Sequence, residues 1–202
     1  MAFFSCFGAD TVLKSVFVLF QYLFYPIHGL AYAGKADKLR LHLSASAVTV
    51  DQLDLFGLSA LQYAAAAGMT DAAHVLLSAG ANPNKGSGWT PLQYATYSSS
   101  RELIRLLLQF GARIDGESTN SRGTALHVAA ASCDISIVAL LIDSGASCWA
   151  IDDHGNIPLH IAAASGNEPV FHLLSSKALN INLKNYEGNT PLDLAMDHGF
   201  SV

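Results

Sequence analysis

Charge is scarce in this 202-residue chain. Only 13% of its residues are charged, 11 basic against 16 acidic, and the net charge of −5 is spread without long runs. Such a chain offers no basic footprint for a phosphate backbone, so nucleic acid is not an expected partner. Cysteine is scarcer still. Cys6, Cys133 and Cys148 are odd in number, widely spaced and without a Cys-x-x-Cys pair. That excludes a disulfide framework and a thiolate zinc site, and it fits a reducing compartment, so a cytoplasmic location is expected. Each thiol reads as a small buried apolar group.

Catalytic signatures are missing too. The eight histidines, at 28, 42, 74, 127, 154, 160, 172 and 198, are scattered and form no His-Glu-x-x-His. There is no Gly-x-Ser-x-Gly elbow and no Cys/His signature to arm a nucleophile. The glycine-rich Gly86-Ser87-Gly88 lacks a preceding strand and a phosphate-binding lysine, which argues against a nucleotide loop. The expectation is a chain that is not an enzyme, with no cofactor, no metal and no small-molecule substrate.

What the chain does have is apolar surface: 51% hydrophobic residues and a mean hydropathy of +0.31. Disorder is excluded by that composition, and the apolar surplus needs a place to go. Self-comparison supplies the place. Five segments align: Gly57-Leu58-Ser59-Ala60-Leu61-Gln62, Gly88-Trp89-Thr90-Pro91-Leu92-Gln93, Arg122-Gly123-Thr124-Ala125-Leu126-His127, Gly155-Asn156-Ile157-Pro158-Leu159-His160 and Gly188-Asn189-Thr190-Pro191-Leu192-Asp193. Their leucines stand 31, 34, 33 and 33 residues apart, and a degenerate copy around Pro26-Ile27-His28 puts Ile27 another 34 residues before Leu61. A fixed period of that length is the mark of a stacked array, here of about six units.

Each unit reads alike. The hydroxyl of Thr-Pro-Leu suits a helix N-cap, and proline costs nothing at the first helical position. A short alanine-rich helix follows, as at Ala64–Ala67, Ala129–Ala131 and Ala162–Ala164. A turn follows at Gly68, Gly166 or Gly199, with Ser99 and Cys133 in the equivalent places. A second helix carries apolar residues at helical spacing: Ala73, Leu76 and Leu77; Leu103, Leu106 and Leu107; Ile137, Leu140 and Leu141; Val170, Leu173 and Leu174. Gly-Ala ends it at Gly80, Gly111 and Gly145, and polar turn-formers such as Asn82-Pro83-Asn84 and Asp152-Asp153-His154-Gly155 make an exposed hairpin-like loop.

From about Pro26 to Val202 this pattern resembles the ankyrin repeat, which implies an all-α solenoid of helix-turn-helix units with connecting hairpin loops. Five Thr-Pro-Leu-like starts in register make the resemblance specific. The resemblance also implies that His127 and His160 bond backbone groups across a turn rather than a metal. Departures from the pattern are local. Gly80 to Thr90 is two residues shorter than Gly145 to Ile157, and Gly111 to Thr124 one longer, so those hairpins should differ in shape. Lys177 stands where glycine is expected, and Pro169 is tolerable only in the first turn of its helix. The last unit has only a first helix, an expectation of an incomplete repeat.

The family uses the concave face of hairpins and first helices to bind proteins, so the resemblance implies a protein partner. At the hairpin tips stand Phe56, Trp89, Arg122, His154 and Tyr186, with Tyr97 near the end of a first helix. Trp, Tyr and Arg are over-represented among binding hot spots, which makes Trp89, Tyr97, Arg122 and Tyr186 the preferred anchors. The bland alternative is that each aromatic only covers the loop beneath it.

Residues 1–25 form a separate segment, in which Ser15 to Tyr25 carries no charge. Three readings stay open: a helix packed on the first repeat or on a partner, a signal sequence, or a membrane anchor through residues 11–25. The expected function is a scaffold or adaptor. The rivals are the substrate-recognition subunit of a ubiquitin ligase and a secreted or membrane-tethered effector.

Overall fold

The computed structural model describes residues 25–45, 49–119, 123–132, 134–177, 181–197 and 199–200. Short and longer helices alternate along them: α1 Pro26–Tyr32, α2 Ala36–Ala45, α3 Ala60–Ala66, α4 Thr70–Ser78, α5 Pro91–Tyr97, α6 Arg101–Gln109, α7 Ala125–Ala131, α8 Ile135–Asp143, α9 Pro158–Ala164, α10 Glu168–Lys177 and α11 Pro191–Asp197. Extended pairing among the described residues is limited to an isolated antiparallel bridge between Leu53 and Ser59. The expected all-α class holds. Residues 1–24, with most of the apolar leader, lie outside the described residues, as do Arg122 and Cys133.

The odd-numbered helices begin where the repeated motif predicts. Ser59 and Thr90 accept the N–H of Gln62 (3.3 Å) and Gln93 (3.2 Å), while those glutamines accept the cap residues' own N–H at 2.8 and 2.7 Å. Two orphan donors are satisfied at each start. The degenerate first copy is in register, Tyr25-Pro26-Ile27-His28 standing for Thr-Pro-Leu-His, but Tyr25 supplies no side-chain cap. Pro169 sits in the first turn of α10, where it breaks no helical hydrogen bond.

The turns after α1, α3, α5, α9 and α11 use a left-handed residue, Gly34 after α1 at φ +65°. Gly68, Gly166 and Gly199 supply it at φ +68°, +68° and +73°, and Ser99 adopts φ +56° in the same place. Serine pays a steric penalty there that glycine avoids.

First helices stack on first helices, α1 on α3, α5, α7, α9 and α11 in sequence, and second helices pack α2 on α4 on α6 and α8 on α10. Small residues permit the close approach: Ala64, Ala65, Ala95, Ala129, Ala130, Ala162 and Ala163 are all fully buried between neighbours. Leu61, Leu92, Leu126 and Leu159 fill the space between the two helix layers. Burying each such leucine is worth about 1.5–3 kcal/mol.

The second-helix stripe matches the expected one in α4, where Ala73, Leu76 and Leu77 are buried, and differs at one position in each of α6, α8 and α10. Leu103, Ile104 and Leu107 are fully buried, as are Ile137, Val138 and Leu141, whereas Leu106 and Leu140 lie at the margin of the core. The same shift puts Phe171 inside and Leu173 at the edge. A second helix meets both its own first helix and the neighbouring second helices, so its buried arc turns toward i+1.

Candidate protein-binding face

The third residue of α1, α3, α5, α7 and α9 ties each repeat to the next. Nε2 of His28 lies 3.1 Å from the Leu58 carbonyl, that of His127 3.0 Å from Asn156 O, and that of His160 3.2 Å from Asn189 O. Gln62 donates to Trp89 O (2.6 Å) and Ser87 O (2.9 Å), and Gln93 donates to Gly123 O. Leu58, Trp89, Gly123, Asn156 and Asn189 all precede the cap of the following first helix. The result is a ladder that fixes the register of successive hairpins.

In the last two histidines the other ring nitrogen is also committed. Nδ1 accepts the N–H of Thr124 (3.0 Å) at His127 and of Ile157 (3.1 Å) at His160, which leaves the proton on Nε2 for the ladder. Burial holds both imidazoles below their usual pKa, so they stay neutral. Asp193 ends the series as an acceptor only, taking the N–H and hydroxyl of Thr190 at 2.8 and 2.7 Å.

A second device shapes the tips. The Asp54 carboxylate accepts the N–H of Phe56 and Leu58 at 2.9 Å each, Asp152 those of His154 and Asn156 at 2.8 Å each, and Asn185 those of Glu187 (3.1 Å) and Asn189 (3.0 Å). In each loop an Asx side chain bonds residues i+2 and i+4 and turns the intervening side chains outward. Asp54 is further held by the Tyr63 hydroxyl at 2.7 Å, and burial beside that carboxylate drives the phenol's pKa far upward.

The shortened second hairpin is built otherwise. Ser87 N–H donates to Gly57 O (2.8 Å), and Gly88 N–H to the Thr119 hydroxyl (2.7 Å). A Cβ on Gly86 would fall 1.8 Å from Gln62 Oε1. The glycine-rich run is therefore the passage that lets the ladder glutamine through.

The structure brings some candidate residues together and not others. Trp89 and Tyr97 meet with ring centroids 5.7 Å apart, and Trp89 leans on Tyr94 at 5.5 Å. Trp89 precedes the cap and Tyr94 is the fourth helical residue, so the pair forms a hydrophobic staple at the start of α5. Packing and presentation are thus combined: Tyr94 backs the indole, while Tyr97 is 56% exposed. His154 and Tyr186 occupy adjacent tips joined by Tyr186 N–H to His154 O at 3.0 Å. Tyr186 lies over Gly155 and is still 73% exposed. Phe56, 45% exposed, stands on the first hairpin, away from these pairs in sequence and linked through Gly57 to Ser87. Leu58 turns inward and is buried.

Beside Trp89 and Tyr97 opens a cleft of about 340 Å³ that also takes in Gln93, Val128, Ala131, Asp152 and Ile161. In the sequence Gln93, Ala131 and Asp152 stand out only as helix-start, alanine-run and turn residues, and Val128 and Ile161 not at all. The signal was present in the aligned repeats: Tyr97 occupies the position that is Ala66, Ala131 and Ala164 in other units. One large ring followed by a small residue leaves a gap.

Comparisons with known proteins agree with this architecture. Human "Ankyrin repeat domain-containing protein 13B" is 35% identical over 88 residues, 43% of this chain and 14% of that protein. "Ankyrin repeat and SOCS box protein 5" of Oryctolagus cuniculus is 39% identical over 98 residues, 46% of this chain and 29% of its own length. Human "Transient receptor potential cation channel subfamily A member 1" is 26% identical over 131 residues, 60% of this chain and 12% of the channel subunit. The chain thus spans less than a third of each of these relatives. The family model for ankyrin repeats matches in three copies, over residues 27–118, 61–152 and 126–201. With almost all of the chain from residue 27 onward matched, this protein belongs to the ankyrin repeat family.

Proposed function

We propose that the chain is a non-catalytic scaffold or adaptor that binds a protein through the concave face formed by its hairpins and first helices. Ankyrin repeats are generally protein-interaction modules. The observation that carries the finer reading is the cleft beside Trp89 and Tyr97, where a staple-backed indole and an exposed tyrosine stand at one edge of an apolar hollow. Rigid aromatics in such a place supply contact area at little entropic cost. A stable interface buries about 800 Å² per partner, more than one cleft offers, so Phe56, His154 and Tyr186 are assigned to its rim, and Arg122, outside the described residues, is kept as a contact on its sequence position alone. The scarcity of cysteine supports action in the cytoplasm.

Affinity purification with mass spectrometry, using wild type and a Trp89→Ala, Tyr97→Ala double variant of unchanged helical content, tests this. Loss of the same proteins from the variant is the expected result; unchanged capture sinks the choice of anchors. One relative's name joins ankyrin repeats to a SOCS box, and that favours a second reading, substrate recognition for a ubiquitin ligase. Co-purified ubiquitin-ligase subunits would support it.

A further inference from the structure

The cleft has a chemical polarity as well as a shape. Its walls are apolar where Val128, Ala131 and Ile161 line it, aromatic at Trp89 and Tyr97, and acidic at Asp152. No lysine or arginine is among the described residues that line it. Its polar side chains have largely spent their donors. Gln93 donates to Gly123 O, His127 to Asn156 O, and the Ser132 hydroxyl to Ala129 O at 2.7 Å. The donors that remain are the indole N–H of Trp89 and the hydroxyl of Tyr97, both at the aromatic corner, and the charged group in the described lining is the Asp152 carboxylate.

Asp152 is a fixed feature of this wall. Its carboxylate is held by the backbone N–H groups of His154 and Asn156 at 2.8 Å and by the Asn156 side-chain amide at 3.2 Å. Burial is the main influence on His127 and His160, but the Asp152 charge also acts on both rings and raises their affinity for protons. The carboxylate's charge therefore reaches the His127 and His160 rings.

From this geometry we infer that the cleft receives a lysine or arginine side chain from an extended basic segment of the protein partner. The aliphatic stem runs over Val128, Ala131 and Ile161, and the cation lies against the Trp89–Tyr97 corner within the field of Asp152. A long side chain with an apolar stem and a charged end matches all three wall types, whereas a carboxylate or phosphate meets the Asp152 carboxylate and no cation among the described lining residues. The inference rests on the concave-face reading and adds the partner's chemistry to it.

Selection of a random linear peptide library on the intact chain tests it, followed by titration of a selected peptide into wild type, Asp152→Asn and Trp89→Leu. Asparagine keeps an acceptor oxygen for the hairpin, and leucine keeps apolar bulk against Tyr94; melting curves verify that both variants fold. The expected result is a consensus with a fixed lysine or arginine, bound about tenfold more weakly by each variant, the scale of one cation–π or charge contact. Replacing that residue by norleucine in the peptide should weaken binding to wild type and remove the difference between wild type and Asp152→Asn.

An apolar consensus still lost on Trp89→Leu overturns the cationic occupant while leaving the concave face in place. A consensus indifferent to Trp89→Leu and to Tyr97→Ala overturns both. A selection that yields no binding peptide also counts against the cationic occupant, and the purification with the double variant then judges the face by itself.

Discussion

Ser99 holds φ +56° at a turn where four sister repeats use glycine, at Gly34, Gly68, Gly166 and Gly199. The left-handed region costs a residue with a Cβ about 1–2 kcal/mol, partly offset by the greater unfolded-state freedom of glycine. Ser99→Gly should therefore stabilise the chain by about 0.5–1 kcal/mol, read as a higher urea midpoint at constant m-value. An unchanged or lower midpoint would show that serine is not strained there. Gly86 is the opposite case. Its φ of +124° and the passage of Gln62 leave no room for a methyl group. Gly86→Ala is expected to cost about 1–3 kcal/mol in the same denaturation experiment. This is also where sequence reading reached only halfway: it could say that Gly86-Ser87-Gly88 lacks the context of a phosphate loop, but not that Gln62, 24 positions earlier, requires the gap. That requirement is a contact between repeats, and no local pattern contains it.

At the scale of the element, the unit was legible because its signals are covalent and local. Proline at the first helical position, a hydroxyl cap and glycine turns each have one conformational meaning, and five copies in register fixed the boundaries. The second-helix stripe was read correctly in α4 and missed one position in each of α6, α8 and α10, because i, i+3, i+4 spacing describes a helix with one neighbour, whereas α6 and α8 each pack on two. The ladder was half visible: histidine was expected to bond across its own turn, but its second bond, to the next repeat, needed three dimensions. The ladder sets a pH dependence. Burial lowers the pKa of His28, His127 and His160 in the folded state, so the unfolded chain takes up protons first as pH falls. Stability is full above the ordinary imidazole range near 6.5 and declines below it, by at most about 1.4 kcal/mol per pH unit for each group. Glutamine already serves at positions 62 and 93, with both of its bonds in place. A His127→Gln, His160→Gln variant should fold, and its denaturation midpoint should fall less steeply between pH 7 and pH 5 than that of wild type. An equal slope would mean that these imidazoles do not carry the effect.

At the scale of the molecule, each repeat touches mainly its neighbours, and α7 joins α5 to α9. Leu126 is fully buried at that junction. Leu126→Ala is expected to cost about 2–5 kcal/mol and to broaden the unfolding transition as the flanking repeats lose their coupling, which calorimetry would register. The candidate face was less legible than the fold. Tips could be read as tips, which places Phe56, His154 and Tyr186 on exposed hairpins, but Trp89 packs on Tyr94 and Tyr97, and the cleft depends on Tyr97 and the small Ala131 of the next repeat. Asp152 was visible only as a turn-former, although the same carboxylate that closes the hairpin lines the cleft. The central claim is that a protein partner lies along this concave face. Hydrogen exchange of the backbone amides, compared with and without a partner recovered by purification, tests it most directly. Protection of the hairpins carrying Trp89, His154 and Tyr186, with the outer surfaces of α6, α8 and α10 unchanged, is the predicted result. Protection confined to those second helices would contradict the account.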